Sequence, residues 1–65
     1  MTRDLELWAC AGHVLAHHGD EAEEHARERM RDLARDGDDE GVKTWATILE
    51  RVERLRRPNA PEALN

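Results

Sequence analysis

The chain has no tyrosine and no phenylalanine, and its 65 residues include only two tryptophans. A domain this short, with so few large rings, has little to build a core from. The single cysteine, Cys10, excludes an internal disulfide. No apolar run approaches the roughly 20 residues that a membrane-spanning helix needs. The start is charged, and its short apolar run, Leu7 to Ala11, is interrupted by Gly12 and His13. That pattern does not fit a secretion signal, so the cytoplasm is the expected compartment. A basic excess is also missing. The net charge is −5, which speaks against a general binder of nucleic acid or of membrane surfaces. With few prolines and four glycines, helix breakers are sparse.

The glycines that are present punctuate the chain. Gly19-Asp20 and Gly37-Asp38 each follow a helix-like stretch. Glycine supplies the left-handed residue that ends a helix, and the aspartate after it is expected to cap the next one. Asp20 with Glu23 has capping-box spacing. Asp38, Asp39 and Glu40 put negative charge at the positive end of a third helix. Pro58 disfavours helical geometry at Arg57 and should stop that helix. The expected fold class is therefore all-α, a compact three-helix bundle with short Gly-Asp turns. Helices are expected at about residues 3–18, 21–35 and 39–56, with Thr2 or Asp4 capping the first. Residues 1–57 form one domain in this reading, and residues 58–65 a frayed tail.

Apolar periodicity assigns the core face of each helix. On the first it selects Leu5, Trp8, Ala9, Gly12, Leu15 and Ala16, with Gly12 marking a close helix crossing. On the second it selects Ala22, Ala26, Met30, Leu33 and Ala34. The third has the strongest stripe: Val42, Trp45, Ile48, Leu49, Val52 and Leu55. Val14 completes the large apolar set, and Trp8 and Trp45 are expected to meet near the centre. Such a core leaves the domain marginal alone, so self-association or a partner protein is in keeping with it. Charge is unevenly spread. Residues 1–26 hold six acids and one arginine, and residues 42–57 five bases and two acids. These segments can attract each other within one chain or between two.

Glu6-Leu7-Trp8-Ala9-Cys10-Ala11, His18-Gly19, Gly37-Asp38, Gly41, Trp45 and Ile48 together form a pattern spanning residues 5–55. It resembles a family of short stand-alone bacterial proteins known only as a domain of unknown function. The resemblance implies a small helical bacterial protein. It implies no activity, and no catalytic residue follows from it.

Three constellations carry candidate chemistry. Cys10, His13 and His17 share one helical face, and histidines at i,i+4 can reach a single zinc ion, with the Cys10 thiolate as a third ligand and Glu6, a further turn back, as a fourth. The plain alternative is a small buried apolar Cys10 beside surface imidazoles, with His17 and His18 suiting the negative end of the helix dipole. His25 could close such a site only by facing the first helix. Trp8 and Trp45, with Arg51 and Arg54, are candidate partner-binding residues, because tryptophan and arginine are enriched where proteins bind. The plain alternative is two core indoles, Trp8 the more open, beside ion-paired arginines. Arginines on the second and third helices invite a nucleic-acid reading. The Asp-Asp-Glu start of the third helix opposes it, since that end would face phosphate. A nucleophile–base pair of Cys10 with a histidine lacks an orienting residue and a deep pocket, so no enzyme is expected. The leading reading is a non-enzymatic protein–protein interaction or regulatory module. A zinc-binding module and a nucleic-acid regulator are the alternatives.

Overall fold

A computed structural model describes residues 2–57. It is all-α: α1 spans Thr2–His18, α2 spans Ala22–Arg35 and α3 spans Asp39–Arg56. A single 3-10 turn, Gly19–Glu21, joins α1 to α2. The expected helix bounds differ from these by no more than a residue at any end. The tail from residue 58 lies outside the described residues.

The two Gly-Asp turns differ. At the second, Gly37 has φ 80°. The Gly37 N–H donates to the Ala34 carbonyl at 3.0 Å, and the Asp38 N–H to the Leu33 carbonyl at 2.8 Å. This pair of bonds satisfies the last carbonyls of α2. Asp38 then leaves helical geometry (φ −92°, ψ 83°), and its carboxylate accepts from the Gly41 N–H at 2.9 Å. The expected cap is in place. Gly41 is needed there, because a Cβ would lie 2.7 Å from Asp38 Oδ2 and 3.1 Å from Leu33 Cδ1.

At the first turn Gly19 also has a positive φ, 55°. The following residues tighten into the 3-10 turn, and no side chain caps α2. The expected cap by Asp20 is therefore absent. Asp20 and Glu23 turn instead to Arg56, at 3.4 and 3.6 Å. Asp4 does not cap either. It lies inside the first turn of α1 and pairs with Arg51 at 2.7 Å. The acidic first segment and the basic end of α3 thus meet within one chain.

These contacts describe how α1 sits. Helical rise separates residues 4 and 18 by about 20 Å but residues 51 and 56 by only about 8 Å. Asp4 in the first turn of α1 and Asp20, two residues past its end, nevertheless both reach that short stretch of α3, so α1 crosses α3 rather than running along it. The α2–α3 pair forms an antiparallel hairpin, and α3 packs against both other helices.

The core is made of small residues. Ala11, Val14, Ala22, Ala26, Ile48 and Val52 are buried, and Leu7, Leu15 and Trp45 pack against them. The buried alanines let the helices approach closely. Several expectations fail here. Leu5 is 69% exposed because it lies nine residues from buried Val14, half a turn round the helix at 100° per residue. Ala9 and Ala16 fall on the same outward side and are exposed, as is Ala34 on α2. Leu55, in the last turn of α3, is 44% exposed. Gly12 marks no crossing: a Cβ there would meet nothing within 4 Å. The tryptophans do not fill the centre. Each is half-buried on its own arginine, Trp8 on Arg51 and Trp45 on Arg29.

Candidate interaction face

The core side of α1 is defined by Ala11 and Val14, so its far side faces outward. That side presents Leu5, Ala9, His13 and Ala16, and the flank between it and Val14 carries Glu6, Cys10 and His17, all exposed. From Leu7 to Gly19 the sequence has no Asp, Glu, Lys or Arg. Most of the outward face of α1 therefore carries no formal charge. None of its residues takes part in an ion pair among the described residues.

Beside this face lies an open groove between α1 and α3. Ala9, Cys10, His13 and Val14 form one wall, Trp45 and Ile48 the other, around about 450 Å³ of space. The lining is almost wholly apolar. Trp45 is held from behind by α2: the His25 ring meets it edge-on at 5.6 Å (77° between planes), and the Arg29 guanidinium lies 5.7 Å from its centroid. These contacts fix the indole while leaving its groove side open.

The four histidines form two pairs of different geometry. His13 and His17, one turn apart on α1, have ring centroids 4.3 Å apart and planes tilted by 48°. His18 and His25 stack across the α1–α2 joint at 3.9 Å with planes 14° apart. His25 thus does face α1, but it meets His18 and not the His13–His17 pair. Its pKa is held below the ordinary 6.5, first by burial, then by the neighbouring His18 and Arg29, with Glu28 opposing.

Among the expected metal ligands, His13 and His17 come together. Cys10 is not buried, as its plain reading expected, but an exposed free thiol on the groove wall. Among the described residues no group of three His, Cys, Asp or Glu side chains is arranged to hold an ion. The expected partner-binding residues separate. Trp45 opens into the groove. Trp8 is covered by Arg51, whose guanidinium carbon lies 4.4 Å from the ring centroid. Arg51 is itself largely buried, held by Asp4 through Nη2, with Nη1 buried and unbonded. Arg54 stays at the surface, 3.5 Å from Glu50.

Sequence periodicity put Ile48 on the same stripe as Trp45, but it did not single out Ala9 or Val14 as their neighbours across the groove, nor Arg29 and His25 as the support of Trp45. The available signal was the charge-free run from Leu7 to Gly19. A helix apolar on every side has a second face to cover.

The molecule is thus a small all-α chain with an uncharged helical face and an adjoining apolar groove. Its membership is shown by a family model that matches residues 3–60: the chain belongs to DUF6961, described as a family of unknown function. No curated protein and no solved structure matches it. Among the described residues no helix is long and apolar enough to cross a membrane.

Proposed function

We propose that the chain is a non-enzymatic interaction module that associates with a second copy of itself through the outward face of α1 and the Trp45 groove. The observation that carries this reading is the uncharged, unpaired outward face of α1, continuous with that groove. A solvated helix face normally carries charge. Depletion of charge around an apolar centre is the mark of protein contact surfaces.

A second copy is the occupant that the rest of the molecule supports. The oppositely charged segments that could have bridged to a different partner are used internally, at Asp4–Arg51 and at Asp20 and Glu23 with Arg56. The core of one chain is thin, with Val52 the largest side chain fully removed from solvent. Association with a like chain would stabilise such a fold by mass action. A bacterial cytoplasm suits the exposed thiol of Cys10, since reducing compartments keep thiols free.

Sedimentation velocity across micromolar concentrations tests the proposal. The wild type should sediment as a dimer. Ala9→Glu, which puts a charge into the groove at an exposed position, should be monomeric with unchanged helicity. A wild type that stays monomeric throughout removes self-association and turns the face toward a different protein.

A second reading, zinc binding, is favoured by the tilted His13–His17 pair. The nucleic-acid reading has less support, because Arg27, Arg31, Arg35, Arg51, Arg54 and Arg56 all sit beside carboxylates.

A further inference from the structure

We infer that His13 and His17 are one half of a zinc site that a second copy of the chain completes. The inference rests on the self-association reading above and names the ion that reinforces it. The two imidazoles stand one helical turn apart, both exposed, with ring centroids 4.3 Å apart and planes tilted by 48°. Rings tilted in this way can direct one nitrogen each toward a common point. The other pair, His18 and His25, is nearly parallel at 14°. Lone pairs in parallel rings run side by side and do not converge on one ion.

Zinc in a structural site takes four ligands in a tetrahedron. One chain offers two here, and among the described residues no third His, Cys, Asp or Glu joins them. A second copy related by a two-fold axis through the ion supplies the same pair again, as an isologous interface requires. The surroundings permit that approach. Ala9 and Ala16 flank His13 on the outward face and carry no long side chain to hold the copies apart. Among the described residues no carboxylate is paired with either imidazole. His13 also lines the groove, so the same docking brings the Trp45 groove to the interface.

Sedimentation equilibrium of the full chain, once in zinc chloride and once in EDTA, tests this together with native mass spectrometry. Zinc should shift the monomer–dimer equilibrium toward the dimer, and the dimer should carry one zinc per two chains. His17→Ala should lose that shift, so that its monomer–dimer equilibrium is the same in zinc and in EDTA. His18→Ala should keep the zinc response. A dimer equally tight in zinc and in EDTA overturns the half-site and leaves self-association standing. A chain that is monomeric in both overturns the two together. A monomer carrying one zinc also overturns the half-site, and returns the ligand set to Cys10, His13 and His17 of a single chain.

Discussion

The first helix and the α2–α3 hairpin solve the problem of a solvent-facing surface in opposite ways. On α2 the outward residues are charged and paired: Glu24 with Arg27 and Arg31, and Asp32 with Arg35. On α1 the formal charges are Arg3, Asp4 and Glu6, all near its start, and its exposed residues after Glu6 are alanine, cysteine and histidine. The hairpin is finished toward water, whereas α1 is finished only toward α3. A face left without charge in a chain where 38% of residues are charged is the feature that separates the two regions.

That contrast can be broken or sharpened by substitution. The largest effect is expected at Val52, fully buried in the core cluster that contains Ala11 and Val14 of α1 and Ala22 of α2. Val52→Ala should cost roughly 1.5–3 kcal/mol, counting the lost burial and the cavity left behind. Urea denaturation followed by circular dichroism should show one transition moved to lower urea. Two separate transitions would mean that α1 and the hairpin are independent units.

Next in size is the contrast between the two turns. Asp38→Ala removes a formed cap and should cost about 1 kcal/mol in the same assay. Asp20→Ala, at the matching position of the other turn, removes only an exposed ion pair and should leave the urea midpoint unchanged. Equal losses at both positions would contradict the difference in geometry.

Gly12→Ala should act in the opposite direction, raising stability by about 0.5–1 kcal/mol, because the site is open and alanine is the better helix former. If the same variant also weakens association, Gly12 lies within the contact between copies, which would sharpen the reading of the outer face of α1.

The smallest effect concerns pH. The His25 pKa is lower in the folded chain than its ordinary 6.5, so the unfolded chain takes up the proton first as pH falls. His25 then contributes stability that is present above pH 6.5 and is lost as pH falls through its folded pKa. Urea midpoints measured on both sides of that range should fall toward acid, and His25→Gln should flatten the slope. The charged neighbours are His18 from α1 and Arg29 and Glu28 from α2, with Trp45 of α3 against its edge.

How much of this was legible in the sequence differs by region for physical reasons. The helix boundaries were legible because Gly37, Asp38 and Pro58 act locally, through φ angles and caps that need no tertiary information. The buried face of α3 was legible at Ile48 and Val52 because charges mark its other side. The face of α1 was not. Leu5, Leu7, Trp8, Ala9, Ala11, Val14, Leu15 and Ala16 surround the helix, and with no charge after Glu6 the periodicity selects no single stripe. The stripe built on Leu5, Ala9, Gly12 and Ala16 turned out to be the outward one. Asp20 failed as a cap for a different reason: capping needs a residue out of helical geometry, and the 3-10 turn keeps the chain wound. The pairing of Trp8 with Arg51 and of Trp45 with Arg29 depends on how α1 crosses α3, which no local signal reports. Of the candidate site, the His13–His17 pair was legible from spacing alone, and the groove beside it was not.

The turn from Leu33 to Gly41 bears on the order in which the chain acquires structure. Its bonds close between residues at most five apart, so little loop entropy is lost in making them. The contacts of the α2–α3 hairpin it sets up begin beside the turn, where sequence separations are short, and contacts of that kind form fastest. By contrast, the ion pair of Asp4 with Arg51 joins residues 47 apart. On this account the capped turn works as a clock as well as a corner: a wound hairpin forms first, and α1 arrives on a surface already assembled.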